Sequence, residues 1–597
     1  MVPWRRVPRA VSTPGRTPRW VDLAVVGFAV LAFAPGLGAR LLFYDDAQYI
    51  YLNGDTLGRP GWEGLLGVWD SSRAWSGRFV EFFPLRDTVY WLVFQQFEVA
   101  GLPYHLASLA FHVAASLLLV RVGARVGLGA RVSVVAALLF AVHPIHVESV
   151  EWASGLKDPM YATFVFASLL AYLRYRDDEK PWRYGLAMAL CVCALLVKSM
   201  AISLPLLLVA CERLVGVATD WKRIAARVAG FAGVCALFTV QFVLIGKAND
   251  VVTPPHGGTW ASHLVLSAWA QVKYLQQAFF PASFRLIYCF APPTGLTDAR
   301  LWGALGVAVA VGVALWLVRT NQRANKAVWL AAIWYVACLV PVSNLIPFPA
   351  VMADRYLYAA VWGACVVVAL GLEQLRPQVH RVVVGLVLVG LVATSATRSA
   401  LWNEQENLWA ESDEDPACLV DTSGNAIEAH LLRFWSAQDR RVALAAIERS
   451  VQMPVLLRSE KLCDTLEAGA FQAVALDLPE RGEPWARQAS STPRCSVRPD
   501  TWFAMMATTL HRKPEAALDA AERAWRLSRS PRAQVMVGAA RLELGRDEGA
   551  ALVQEAVERS PELACGPLVQ WSHDVPTLAP RISGALALCE KQAGRSP

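Results

Sequence analysis

The sequence predicts an all-α, polytopic membrane protein that ends in a second helical domain, and three observations predict it. Of 597 residues, 55% are hydrophobic and only 18% charged, with a mean hydropathy of +0.36. A soluble core of this length cannot bury so much apolar surface. Apolar stretches of roughly 15 to 23 residues, long enough to span a bilayer, recur along the first two thirds of the chain. Beyond about residue 400, Asp, Glu and Arg become frequent, apolar residues fall at helical spacing, and no window approaches a span.

Eleven segments are expected to span: 21–43, 104–123, 131–148, 158–174, 183–197, 201–217, 226–246, 300–318, 327–346, 355–373 and 381–397. Arg5, Arg6, Arg9, Arg16 and Arg19 precede the first. The positive-inside rule therefore places a basic arm, 1–20, in the cytoplasm, and without a small-residue cleavage site the first segment is expected to stay as an anchor. Counting outward, Asp45 and Asp46 emerge on the outer face, and the basic loop Arg121, Arg125 and Arg131 returns inside. Segment 263–280 carries Gln271, Lys273, Gln276 and Gln277 and reads as interfacial or re-entrant. On that reading Arg319, Arg323, Lys326, Arg376, His380 and Arg381 are cytoplasmic and residues 401–597 lie outside. A true span there would reverse both. The expected location is the inner (cytoplasmic) membrane. The net charge of +7 is dispersed over short loops and the arm, so topology explains it and nucleic-acid binding does not.

Charge at the ends of apolar helices carries the functional signal, because an ionisable group at membrane depth is costly. Asp45 and Asp46 sit side by side after the first span, where adjacent carboxylates do not both ionise freely. One is then poised as a base; the alternative is a solvated cap. Across the next outer turn stand Glu148, Glu151, Lys157 and Asp158. His143 and His146, three apart, are expected on one helical face, where metal ligation and hydrogen bonding to a neighbouring helix both remain open. Lys198 occupies a short outer turn and suits a lipid phosphate or simple snorkelling. The loop 342–358 brings Asn344, Asp354, Arg355, Tyr356 and Tyr358 to the same face; Arg355 offers a planar fork for phosphate unless Asp354 neutralises it.

These pieces resemble a known family. YDD (44–46), FPLRDTVYW (83–91), YHLASLAFHVAASLLL (104–119), LLFAVHPIHVESVEWASGLKD (138–158), LVKSMAISLP (196–205) and PVSNLIPFPAVMADRYLY (341–358) are similar to bacterial relatives of the transmembrane-and-TPR-containing O-mannosyltransferases. More distantly they resemble the protein O-mannosyltransferases of the GT-C fold. The resemblance covers about 21–410, with HPxHxE and MADRYLY the most specific pieces. It implies a GT-C transmembrane domain over 21–400 with outer catalytic loops at 44–103, 149–158, 247–300 and 347–354. It also implies transfer of a sugar from a polyprenyl-phosphate carrier, with Asp45 or Asp46 as base and Asp158 as a second acid. Lys157, Lys198, Arg355, Arg86 and Tyr356 would contact the carrier phosphate, and His143, His146, Glu148, Asn344 and Asp354 would support them. No cofactor is required by this reading, and a divalent metal is compatible with it. Phe83 before the Pro-Leu pair, Arg86 after it, and Ser108 depart from the family's pattern and bear on sugar and acceptor.

Physical chemistry points the same way. A lipid-linked sugar has its phosphate at the interface and its sugar in water, so an enzyme needs a base and cations on one membrane face. In 401–597, KPEAALDAAERAWRLSRSP (513–531) and GRDEGAALVQEAVERSPEL (545–563) share a pattern about 30 residues apart, with 440–450 as a third copy. They read as TPR-like hairpins offering a surface to a peptide or protein partner, or as a generic bundle. Cys418, Cys463, Cys495, Cys565 and Cys589 lie there and would form pairs with one left over in an oxidising compartment. The leading function is therefore a glycosyltransferase acting on a protein hydroxyl or, less favoured, a glycolipid. The competing classes are a non-catalytic scaffold and a transporter, the latter disfavoured because no related halves are visible.

Overall fold

The computed structural model describes residues 18–42, 45–46, 49–50, 53–75, 81–214, 220–249, 253–291, 293–295, 297–318, 322–348, 350–403, 408, 444, 447–448, 462–561, 564–565, 568 and 579–593. Among these every regular element is a helix or a helical turn. The chain divides into two compact units, 1–425 and 426–597.

In the first unit the helices include α1 (Arg19–Phe33), α2 (Pro84–Phe97), α3 (Gly101–Arg125), α4 (Ala130–Ala141), α5 (Val147–Glu151), α6 (Lys157–Asp178) and α7 (Pro181–Leu195), with three short helices between α1 and α2. They continue as α8 (Leu204–Leu214), α9 (Trp221–Ala248), α10 (Trp260–Phe279), α11 (Ala299–Val318), α12 (Gln322–Leu339), α13 (Val361–Glu373) and α14 (Pro377–Ala400). Pro at the first helical position starts α2, α7 and α14, where a missing N–H costs nothing. Each of the eleven expected spans contains a helix. Among the described residues five helices are long and apolar enough to cross a membrane by themselves, six with one bent pair, and the protein is a multi-pass membrane protein. The segment expected to be interfacial or re-entrant is α10, whose Ser262, His263, Leu266, Ala270, Tyr274 and Gln277 are buried.

Two expectations need correction. The third span is not continuous: α4 ends at Ala141, a 3-10 turn covers Pro144–His146, and α5 resumes at a bend of 45°. Pro144 supplies no N–H and pushes His143 into extended backbone, φ −68° and ψ 127°. His143 and His146 therefore do not share a helical face. The expected span 355–373 begins later, because Asp354–Leu357 form a separate 3-10 turn before α13. The carbonyls freed where α4 stops find partners on other helices: His112 Nε2 lies 3.0 Å from the Ala141 oxygen, and Ser395 Oγ donates to Val142 at 2.8 Å. Backbone groups at membrane depth must be satisfied within the protein.

Among the described residues the second unit includes α15 (Leu462–Ala475), α16 (Pro479–Ser491), α17 (Pro499–Thr509), α18 (Pro514–Ser528), α19 (Pro531–Glu543), α20 (Glu548–Arg559) and α21 (Ser583–Ala593). Helices α16, α18 and α20 start at Pro479, Pro514 and Glu548, hence 35 and 34 residues apart, wider than the spacing of about 30 expected from sequence. Small residues set the crossings: a Cβ on Gly538 would meet the Gly549 carbonyl at 2.7 Å, and one on Gly549 the Gly538 carbonyl at 2.3 Å. Disulfides join Cys463 to Cys495 and Cys565 to Cys589. Cys289, in the loop after α10, is also disulfide-bonded, which the sequence reading did not foresee. Cys418 and most of 440–450 lie outside the described residues.

Candidate active site

The charged side chains singled out in the sequence gather for the most part where α6 begins, delivered by six segments of chain. Asp46, fully buried, is consumed by structure. Its Oδ2 accepts from the Leu42 amide at 2.8 Å, and its Oδ1 accepts from the Ser154 amide at 2.8 Å and the Ser154 hydroxyl at 2.5 Å. Asp46 thus ties the loop after α1 to the 3-10 turn 153–156 that leads into α6. Burial pushes its carboxyl up to about 7 against the pull of those hydrogen bonds. Asp45, half-buried, shares none of these three bonds. Its charge reaches Asp46, Tyr49 and Arg355.

Lys157 opens α6 and donates to both oxygens of Glu81, at 3.1 and 3.3 Å. Glu81 also takes Arg86 Nη1 at 2.7 Å, while Arg86 Nε and Nη2 bind Asp87 at 2.9 and 2.8 Å. The Arg86 guanidinium lies 4.3 Å from the Tyr49 ring centre and is fully buried. Both its forks are filled by carboxylates, so it braces the loop before α2. Burial would raise Glu81, yet Lys157 and Arg86 outweigh it and hold it near 2.

Asp158 Oδ1 accepts from Lys198 Nζ at 2.5 Å. Its Oδ2 and the nearby Tyr161 hydroxyl are buried without hydrogen-bond partners among the described residues, a state that native cores rarely leave unexplained. Burial lowers Lys198 to about 8 despite Asp158. Tyr161 and Tyr356 rings stand 5.9 and 5.8 Å from its ammonium.

Arg355 is paired, but with Glu148 rather than Asp354. Its amide donates to Glu148 Oε2 at 2.9 Å and its Nη1 reaches Glu148 Oε1. The guanidinium also lies 5.1 Å from the Trp152 ring and 5.2 Å from Tyr356. Burial works against its charge, and Glu148, with Tyr356 and Asp45, more than restores it. Asp354 instead accepts from the Tyr288 hydroxyl at 2.6 Å.

The remaining predicted residues lie to the side. His146 packs in an aromatic cage, 4.4 Å from the ring centres of both Phe140 and Tyr358. His143 sits 3.3 Å from the Ala278 carbonyl at the end of α10. Asn344, at φ +58°, donates to Val351 at 2.7 Å, and His263 reaches its carbonyl at 2.7 Å. Asn tolerates that left-handed backbone, so Asn344 shapes the loop that delivers Arg355. Among the described residues no group of three His, Cys, Asp or Glu could hold a metal ion. Sequence reasoning missed Glu81, Ser154 and Tyr288. An acid in an apolar run five residues before Arg86 was a legible signal for Glu81; Ser154 and Tyr288 had none.

No family model matches the chain. It is 36% identical over 200 residues to the protein O-mannosyl-transferase Tmtc1 of Drosophila melanogaster, covering 32% of this chain and 23% of that one. It is 24% identical over 394 residues to the protein O-mannosyl-transferase TMTC3 of Mus musculus, covering 58% and 42%. The chain resembles the TMTC-type protein O-mannosyl-transferases. It spans less than half the length of these relatives. Among solved structures, ArnT from Cupriavidus metallidurans bound to undecaprenyl phosphate is similar over 90% of this chain and 80% of that one, at 13% identity and a TM-score of 0.41.

Proposed function

We propose that this protein is a GT-C-type membrane glycosyltransferase that moves a sugar, mannose in the first instance, from a polyprenyl-phosphate carrier to a hydroxyl of a protein outside the inner membrane. The observation that carries the reading is the meeting of carboxylates and cations from six chain segments at the start of α6. The names of the curated relatives support the sugar class.

In the reaction the acceptor O–H attacks the anomeric carbon as the bond from that carbon to the carrier phosphate breaks. Asp45 takes the acceptor's proton, and the electron pair leaves with the phosphate. Asp46 holds the loop that presents Asp45. Lys198 and Arg355, with Lys157 behind them, stabilise the charge growing on the phosphate, an effect of a few kcal/mol per oriented donor. Tyr356, between Lys198 and Arg355, lines the same surface. Asp158 Oδ2 is free to accept from a sugar or acceptor hydroxyl. None of these steps calls for a metal.

The topology proposed with it has eleven spans over 21–400, the N-terminus in the cytoplasm, and a TPR-like domain outside that presents a surface to the protein acceptor. Helix starts 34 and 35 residues apart match the TPR period of about 34. Disulfides support that placement: the bonded cysteines 289, 463, 495, 565 and 589 all lie outside the spans. The free ones among the described residues, Cys191, Cys193, Cys211, Cys235, Cys338 and Cys365, all lie within helices of the first unit.

The test is mass spectrometry of envelope glycoproteins and glycolipids from a strain lacking the protein. Loss of hexose from defined Ser or Thr residues, restored by the wild-type chain, is expected. Loss confined to glycolipids would replace the acceptor, and an unchanged glycan inventory would leave only the scaffold reading.

A further inference from the structure

The end of α3 and helices α6 and α7 form a cavity at the end of α6 opposite the site. It has a volume of about 170 Å³ and is lined by Arg125, Ala171, Arg174, Trp182, Arg183 and Leu186. Three guanidiniums and no carboxylate face it. Two are fixed from outside. Arg125 pairs with Asp177, and Arg183 pairs with Asp178 at 3.0 Å while donating to the Arg174 carbonyl at 3.0 Å. Arg174 is exposed and has no ion pair among the described residues, so the cavity carries unneutralised positive charge.

Its surroundings say what kind of anion fits. Trp182 is 61% exposed and Leu186 44%, one helical turn apart on α7, and the Arg183 guanidinium lies 5.3 Å from the Trp182 ring. Exposed tryptophan marks the headgroup level of a bilayer, and Leu186 lies deeper, toward the hydrocarbon. α6 is 22 residues long, or about 33 Å, close to the roughly 30 Å of a hydrocarbon core. The cavity and the site therefore lie at opposite interfaces. The room is more than ten times the roughly 10–15 Å³ that one water needs by the same measure, enough for a phosphodiester. Guanidinium forks match phosphate oxygens.

We propose that this cavity binds the phosphate headgroup of an anionic phospholipid, with the acyl chains running down the α7 face past Leu186. The site is separate from the transferase centre, and its occupancy is read without any transfer assay. The full-length chain, purified in detergent and delipidated, is titrated with phosphatidylglycerol, phosphatidylcholine and inorganic phosphate, and adducts are followed by native mass spectrometry. A phosphatidylglycerol adduct that outlasts phosphatidylcholine is expected. Its affinity should fall about fivefold in Arg174→Gln and about 25-fold in Arg174→Gln with Arg183→Gln. Arg213→Gln, at an arginine 4.5 Å from the Trp221 ring and away from the cavity, should leave it unchanged. Because Arg183 also ties the hairpin, Arg174→Gln alone carries the test where the double variant fails to fold. Equal retention by Arg174→Gln and wild type overturns the site. Displacement of the lipid by millimolar inorganic phosphate overturns the lipid as occupant.

Discussion

Acids and bases stand at both ends of α6, and the two ends use them differently. At its start, Lys198 and Asp158 form a pair 7% and 0% exposed, with one carboxylate oxygen unengaged. At its far end, Arg125 and Asp177 form a pair 24% and 50% exposed. Arg176 and Arg227 close on Glu212, which also accepts from the Tyr172 hydroxyl at 2.6 Å. Around Glu212 the far end is a tie: that carboxylate is surrounded by donors and offers nothing further. The near end is buried and incompletely satisfied. Exposed pairs contribute little, whereas buried and incompletely bonded ones are costly; the far end leaves a donor, Arg176 Nε, without a partner among the described residues, while the near end leaves an acceptor, Asp158 Oδ2, and an open acceptor is what the proposed transfer would use.

The sharpest division should come from Asp45. Asp45→Asn should lower transfer by about 10²–10⁴-fold with an unchanged melting temperature; a variant that keeps full turnover with a polyprenyl-phosphate sugar would collapse the distinction. Glu212→Gln should do the reverse. It should cost about 3–5 kcal/mol of stability while the KM for the lipid donor stays put, and a selective loss of donor affinity would make the far end part of the site.

Asp46 gives the near end a pH signature of its own. Between its unfolded value near 3.8 and its folded value near 7, the folded state holds a proton that the unfolded chain has released. Stability should therefore fall, by about 2–4 kcal/mol, as pH rises from about 4 to about 7. Asp46→Asn should flatten that slope in thermal scans. Glu81, held near 2, acts in the opposite sense: its contribution is complete above about 4.5 and is lost as pH falls toward 2.

The smallest effect concerns Arg355. Arg355→Lys should reduce transfer about tenfold, because a point charge cannot replace the fork. In a cycle with Glu148→Gln the two should couple by about 1–2 kcal/mol. Coupling of that size to Asp354→Asn instead would return the pairing to the neighbour in sequence.

The helices were legible because hydropathy at span length leaves little choice of structure, and Asp45, Lys157, Asp158 and Lys198 were legible because charge at the end of an apolar run needs a reason. Pairing was not. The sequence set Asp354 beside Arg355, while the fold brings Glu148 from 207 residues away, and nothing in local spacing encodes that distance. The break at His143 was in plain view as a Pro144 inside an apolar run, but hydropathy averaging reads through a proline. In the second unit the repeat was visible on α18 and α20, and its true spacing emerged only with the positions where those helices start.

The interruption at His143 also bears on how the chain is made. α4 and α5 are about 18 Å and about 8 Å long, so neither crosses a bilayer by itself. The carbonyl of Val142 depends on Ser395, which the ribosome delivers 253 residues later. Until α14 is synthesised, that carbonyl has no partner but water, so this part of the membrane domain should close only at the end of the domain's translation. Nascent chains stopped before residue 377 should leave a cysteine placed at position 142 open to water-soluble thiol reagents, and chains extended past residue 400 should close it.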